Sequence, residues 1–188
     1  MAHYVMVGEG QYPVAPIRVC PRLPGGPWYR GYRLRIQVPT PLRYALEADR
    51  ETPGILKALY AEESVPVMRD DLVETLAAAG VDNLELFPAV ITDPMTGEEH
   101  TNYKAFNVVG LVAAADLGAS KMMGTTSSTL IDADFASLAL DESKTHGLLL
   151  FRLAENVSAI VVDERVRQEI EGRKIPGILF YASGEWSG

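Results

Sequence analysis

Apolar and polar residues alternate in several short stretches of this chain, which is the pattern of a β-strand with one face turned to solvent. In residues 33–38, for example, Leu34, Ile36 and Val38 alternate with two arginines and a glutamine. Prolines and glycines interrupt the first forty residues so often that only short strands fit there. The pattern predicts strands at 5–7, 17–20, 33–38, 84–92, 103–112, 148–153, 159–162 and 178–181.

Three other stretches place their apolar residues at helical spacing. The clearest predicted helix spans residues 70–79, where Asp71 and Glu74 are spaced as in a capping box. A second predicted helix spans 163–171 and begins with an aspartate that can cap it. A third, over 53–64, has a proline where a first helical turn tolerates one.

These elements predict an α+β fold, with a mixed or mainly antiparallel sheet, a few short helices and a single globular core. The turn sequence Asp93–Gly97 separates two predicted strands and indicates a hairpin. A length of 188 residues is typical of one domain, so we expect residues 1–188 to form a single domain. Within it, residues 1–45 are expected to be a Pro/Gly-rich, basic, β-type N-terminal segment.

Charge is unevenly distributed along the sequence. Residues 1–45 contain six arginines against Glu9 alone, a net charge of +5, so residues 46–188 carry −13 and the whole chain −8. This acidity argues against nucleic acid as a partner, because binding to phosphates depends on clustered lysines and arginines. One interpretation is that the acidic surface only keeps the protein dissolved. The other is that it attracts a basic protein partner by long-range electrostatics.

The sequence predicts a cytoplasmic protein. It has one cysteine, Cys20, which excludes an internal disulfide, and its apolar neighbours favour a small buried side chain over a nucleophile. The first residues lack the basic start and apolar stretch of a signal peptide. The longest apolar window, 106–115, is shorter than the ~20 residues of a membrane-spanning helix, so no membrane association is expected.

The sequence contains no group of residues with the spacing of a known catalytic or metal site. The histidines His3, His100 and His146 are far apart and have no ligand partner at zinc-site spacing. The Ser/Thr-rich stretch 118–129 lacks the lysine of a phosphate-binding loop. We therefore predict no catalytic residue, no cofactor and no metal, and we do not expect an enzyme. Adjacent carboxylates, interpreted as caps or solvated charges more than as general acids, occur at 62/63, 70/71, 98/99 and 141/142.

From about residue 65 to residue 188, the order of several short patterns is similar to that of a known family. These patterns are Leu86–Ile91, Tyr103–Val108, Leu150–Leu153 with Glu155, Ile160–Glu164 and Gly177–Phe180. They resemble a bacterial family of immunity proteins from polymorphic toxin systems, of the myxobacterial type, formerly catalogued as a domain of unknown function. The resemblance implies an α+β, cytoplasmic protein that binds and neutralises a cognate toxin without catalysis.

The leading hypothesis is therefore an immunity protein whose partner is a cognate toxin, and the acidity of the chain favours a basic one. Acidic residues on predicted loops are the candidate partner-binding residues, because recognition residues collect on loops. The alternative is a small hydrolase-like enzyme that uses a carboxylate pair or the Ser/Thr-rich stretch. A structural or assembly protein is a third hypothesis, and a homo-oligomer is compatible with the sequence. The candidate partner-binding residues are Glu98, Glu99, Asp132 and Asp134.

Overall fold

The computed structural model describes residues 2–9, 13–23, 28–123 and 133–188. The predicted mixture of strands and helices is present over these ranges, but strands dominate more than the α+β prediction implied. The helices are α1 (Asp70–Ala78) and α2 (Glu164–Gly172), with a 3-10 turn at Glu142–Lys144. The strands are β1 (His3–Gly8), β2 (Ile17–Val19), β3 (Leu42–Leu46), β4 (Leu59–Tyr60), β5 (Val67–Arg69), β6 (Leu84–Thr92), β7 (Glu99–Val108), β8 (Leu111–Val112), β9 (Lys121–Met122), β10 (Phe135–Ser137), β11 (Leu150–Leu153), β12 (Ile160–Asp163) and β13 (Ile178–Ala182).

These strands form a six-stranded sheet, a five-stranded sheet and a two-stranded ribbon. The larger sheet has the order β2-β3-β6-β7-β5-β4, the smaller has the order β13-β1-β12-β11-β8, and β9 and β10 make the ribbon. Most neighbouring strands are antiparallel, but β3 runs parallel to β6 and β8 runs parallel to β11. The predicted hairpin is confirmed, because β6 and β7 pair along their whole length on either side of the turn at 93–98.

Both helices pack against the two sheets in one apolar cluster. Leu72 of α1 and Ile170 of α2 are buried there beside Phe106 of the larger sheet and Ile160 of the smaller sheet. Side chains of alternate strand residues point the opposite way, as the pleat requires. They form a second cluster with the segment around Trp28 over the larger sheet, and a third cluster with the ribbon over the smaller sheet.

Residues 33–38 do not form the predicted strand. Leu34, Ile36 and Val38 are half-buried, and the residues between them are exposed. The alternation of apolar and polar residues therefore correctly predicted which of these side chains face the protein. Both edges of the nearby strand β6 are occupied, one by β3 and the other by β7. The Leu34 amide donates to the side chain of Glu85 at 2.8 Å instead of to a neighbouring strand. The alternating pattern thus identified a half-buried extended segment, but it did not predict what this segment would contact.

The predicted helix at 53–64 is also wrong. Gly54 has a φ of +74°, a turn conformation that glycine adopts without strain, and Leu59–Tyr60 form β4. Leu59 lies in the cluster with the helices, whereas Tyr60 lies in the cluster around Trp28. Consecutive residues therefore point to opposite faces, as in a strand. The apolar spacing that fitted a helix comes from a turn followed by a short strand.

The two α-helices lie where the sequence predicts them, but only one has the predicted cap. The Asp163 carboxylate accepts a hydrogen bond from the Arg165 amide at 2.9 Å and so caps α2. No side chain caps α1, and Asp71 instead binds the guanidinium of Arg69, so the capping-box interpretation is wrong. Each helix has nine residues. Within the described ranges, no helix is long and apolar enough to cross a membrane.

We expect Asp163→Ala to lower the free energy of unfolding by roughly 1 kcal/mol, because it removes the acceptor for an amide at the start of α2. Asp163→Asn keeps a side-chain oxygen at that place and is as good an N-cap, so it should retain most of the stability in urea unfolding. Equal losses for the two variants would contradict the assignment of Asp163 as a hydrogen-bonding cap.

Candidate functional site

The parallel pairing of β3 with β6 brings two loops together. The register runs from Leu42 beside Ala89 to Ala45 beside Thr92, so the two strands end at nearly the same level. The carboxyl ends of parallel strands lie at the same edge of a sheet. The loop at 47–52, which follows β3, therefore lies next to the hairpin turn at 93–98, which follows β6.

A buried ion pair connects these two loops. Nη2 of Arg50 lies 2.9 Å from Oδ1 and 2.8 Å from Oδ2 of Asp93, and each side chain is only 5% exposed. The remaining nitrogens of Arg50 donate to the carbonyl oxygens of Glu47 and Thr52. Oδ1 of Asp93 also accepts the Met95 amide at 2.9 Å. One arginine therefore fixes the backbone of its own loop and joins it to the turn.

The environment of Asp93 favours its charged form. Burial by itself raises the pKa of this carboxyl group. The hydrogen bonds from Arg50 and from the Met95 amide, together with the positive charge of Arg50, outweigh that effect and hold the pKa of Asp93 below its usual value. The ion pair therefore persists at neutral pH.

Acidic side chains surround this ion pair on the outside. Over residues 47–52 and 93–99 there are six carboxylates and one arginine, a net charge of −5. We call these two segments the acidic end. Met95, which is 41% exposed, adds an apolar side chain at the turn. The carboxylates exposed on the acidic end belong to Glu47, Asp49, Glu51, Glu98 and Glu99.

Two of the predicted partner-binding residues lie on the acidic end. Glu99 begins β7 and pairs with Arg43 at 3.1 Å, and Glu98 lies 3.6 Å from the ring of His100. Asp134 is exposed in a different part of the protein, beside β10, where its carbonyl oxygen accepts the Met123 amide.

The fourth predicted residue, Asp132, lies outside the described residues. The structure therefore brings Glu98 and Glu99 together and places Asp134 elsewhere. It also adds three carboxylates of the loop at 47–52 that the sequence analysis did not predict. These three carboxylates could have been predicted only by recognising that β3 pairs in parallel with β6.

The uneven charge along the sequence is partly balanced in space. Arg33 lies 3.8 Å from Glu85 of β6, and Arg43 pairs with Glu99 of β7. The basic N-terminal segment thus supplies counter-charges to the acidic hairpin. The negative charge that remains uncompensated on this sheet is concentrated at the acidic end.

Several carboxylates from the pairs of the enzyme hypothesis take part in ion pairs or hydrogen bonds. Asp70 accepts from Lys104 at 2.8 Å, and Glu142 lies 2.6 Å from the ring of the buried His3. Asp141 accepts from the Ser143 amide and hydroxyl. In the described part of the chain, His, Cys, Asp and Glu side chains form no group of three that could hold a metal. Residues 124–129, which are half of the Ser/Thr-rich stretch 118–129, lie outside the described residues.

A cleft of about 350 Å³ opens where the end of β1 meets the segment at 57–63. Glu62, Glu63 and Ser158 contribute to its lining, as does Lys57, whose ammonium group donates to the Gly8 carbonyl at 3.1 Å. One ammonium group and two carboxylates thus contribute to its wall.

Cys20 lies beside this cleft without the properties of a nucleophile. Its thiol donates to Oε2 of Glu63 at 3.0 Å. Burial, followed by the hydrogen bond to Glu63 and the negative charge of that residue, raises the pKa of Cys20 to about 12. Only a small fraction is thiolate at neutral pH, and the thiolate is the reactive form. Cys20 is half-buried and not fully buried as predicted, but its raised pKa agrees with the prediction of an unreactive thiol.

No protein-family model matches this chain, and no curated protein matches it significantly. The similarity to immunity proteins therefore stays a prediction from the residues that carry it.

We expect the Cys20 thiol to react with Ellman's reagent at pH 8 at least ~10-fold more slowly in the folded chain than in urea, because little thiolate forms. Glu63→Gln removes a negative charge beside the sulfur, lowers the pKa of Cys20 and should speed the reaction. Glu62→Gln, at the exposed neighbouring position, is the matched control and should leave the rate unchanged. A native rate equal to the unfolded rate would contradict the raised pKa.

We also expect Arg50→Met and Asp93→Asn each to lower the free energy of unfolding by about 2 kcal/mol, since each removes buried charge-assisted hydrogen bonds. Because the folded-state pKa of Asp93 is lowered, the contribution of Asp93 to stability is complete above the usual aspartate pKa of 3.8 and is lost as the pH falls through the lowered pKa. Urea unfolding between pH 2 and pH 7 measures this. A stability difference between Asp93→Asn and the unsubstituted chain that persists unchanged to pH 2 would contradict the assignment.

Proposed function

We propose that this protein is an immunity-type binding protein that captures a cationic toxin through its acidic end. The observation that carries the proposal is the net charge of −5 assembled over two loops that the buried Arg50–Asp93 pair holds together. The resemblance to immunity proteins of polymorphic toxin systems supports the same function. In this proposal the protein acts in the cytoplasm, by binding and without catalysis.

The acidic end is suited to rapid capture. Carboxylates of one sign grouped on a surface create a potential that raises the rate of encounter with a cationic protein. An inhibitor that protects a cell needs such speed, since the toxin acts until it is bound. The same charge disfavours nucleic acid as a partner.

The rigidity of the two loops favours affinity. Arg50 bonds to the carbonyl oxygens of Glu47 and Thr52 and to the carboxylate of Asp93, so three points of backbone or side chain are fixed by one guanidinium. Loops that are ordered before binding lose less conformational entropy when a partner arrives.

Repulsion between carboxylates of the acidic end also favours the binding of a cationic partner. Of the five exposed carboxylates around the buried ion pair, Glu99 pairs with Arg43. The others repel each other, and a cationic surface that docks there relieves this repulsion. Met95, exposed at the turn, offers a flexible apolar contact in the middle of the charged groups. The combination fits a basic protein surface better than a small cation.

The proposal is tested by co-expression with the product of the adjacent gene, where that product stops growth. The unsubstituted chain should restore growth and bind the purified toxin. Asp49→Lys/Glu98→Lys should lower the association rate at low salt by ~10-fold or more, because it reverses the steering charge. The rate for the unsubstituted chain should fall as salt rises.

The matched control is Glu74→Lys/Asp82→Lys, which changes the net charge by the same amount at exposed positions away from the acidic end. Asp82 precedes β6, whose nine residues separate it from the turn by roughly 30 Å. This control should bind like the unsubstituted chain. Equal losses for both double variants would contradict a localised surface, and soluble co-expression that leaves toxicity unchanged would contradict the immunity function.

A further inference from the structure

Arg152 is a buried arginine in the middle of the smaller sheet. It lies in β11 between Leu111 of β8 and Ile160 of β12, and its side chain is fully buried. Nη1 donates to the Val157 carbonyl at 2.7 Å. The ring of Tyr29 covers one face of the guanidinium, with 4.2 Å between Cζ and the ring centroid.

The remaining edge of this guanidinium has no acceptor. Nε and Nη2 are both buried, and neither has a hydrogen-bond partner in the described ranges. These two nitrogens form one side of the planar group, and their N–H bonds run nearly parallel. An arginine edge of this kind matches the two oxygens of a carboxylate or a phosphate. We call Nε and Nη2 of Arg152 the Arg152 fork.

None of the ion pairs among the residues that the structure describes involves Arg152, so its charge lacks a counter-ion there. Burial lowers the pKa of Arg152 to about 10, which still leaves the group positively charged at neutral pH. A buried charge without a partner is strongly unfavourable. A water molecule could accept one hydrogen bond but would not neutralise the charge.

We propose that the Arg152 fork is a buried binding site for a small oxyanion of the carboxylate or phosphate class. Two parallel donors and an uncompensated positive charge are the features that such an anion needs. The site is distinct from the acidic end and does not depend on the proposed function.

Tyr29 contacts both Arg152 and the wall of the cleft. Its hydroxyl donates to the carbonyl oxygens of Ala61, at 2.9 Å, and of Glu63, and both of these residues line the cleft. On the other side, Val157 directly precedes Ser158 of the cleft wall. In this proposal an anion reaches the fork from the cleft when the Tyr29 side chain moves aside. Glu62 and Glu63 repel anions at the entrance, so entry is expected to be slow.

The test is thermal unfolding of the full chain in phosphate, sulfate, acetate and chloride at equal ionic strength. The melting temperature should rise to a plateau with an oxyanion and not with chloride, because a ligand that binds only the folded state stabilises it. Arg152→Met should abolish the oxyanion effect. Arg35→Met, at an exposed arginine, is the matched control and should keep it. A response to phosphate and sulfate alone assigns a tetrahedral anion, and a response to acetate alone assigns a carboxylate.

Identical melting temperatures of the unsubstituted chain in all four salts would overturn the proposal, as would an oxyanion effect that survives in Arg152→Met. Where Arg152→Met does not fold, nuclear magnetic resonance of the unsubstituted chain decides. The Nε–H signal of Arg152, identified by its loss in Arg152→Lys, should shift during titration with the stabilising oxyanion and stay in place with chloride. A signal that does not move would overturn the site.

Discussion

The parallel pairing of β3 with β6 is the constraint on which the surface of this protein depends. Two strands that run the same way must send their following loops to the same edge. Here that rule gathers carboxylates from segments more than forty residues apart in sequence. Such a gathering of like charges opposes folding, and the buried Arg50–Asp93 pair is the contact that offsets it locally. The position of β3 thus determines both the charge of the acidic end and its rigidity.

Two buried arginines in this protein differ in how their charge and hydrogen-bond donors are compensated. Arg50 has a carboxylate and two carbonyl oxygens around it, so its charge and its donors are satisfied within the chain. Arg152 has one carbonyl oxygen and an aromatic face, which leave part of the group unsatisfied. The first arrangement is typical of a structural ion pair. The second is the arrangement that we propose as an anion-binding site.

Elements whose signals are local were predictable from the sequence. The hairpin of β6 and β7 is marked by its turn residues, and α2 by Asp163 and the residues that follow it. β3 was missed because its partner β6 lies about forty residues further along, and no local pattern specifies a parallel neighbour. The prediction of a helix at 53–64 was wrong because the apolar residues of this segment pack into two different clusters. Glu98 and Glu99 were predictable from their place on a turn, whereas the unpaired edge of Arg152 depends on three distant segments that only the fold brings together.

The pairing of β1 sets the order in which this protein can be completed. β1 is the first described strand to be synthesised, yet its sheet neighbours are β12 and β13, the last two. While the ribosome makes everything between them, Val5, Met6 and Val7 have no ladder to join and remain an open apolar edge. Contacts this far apart in sequence form slowly, and open edges attract other unfinished chains. In a nascent chain β1 therefore stays without its partner strands until β12 and β13 have been made, and during that time it is the strand most exposed to wrong pairing.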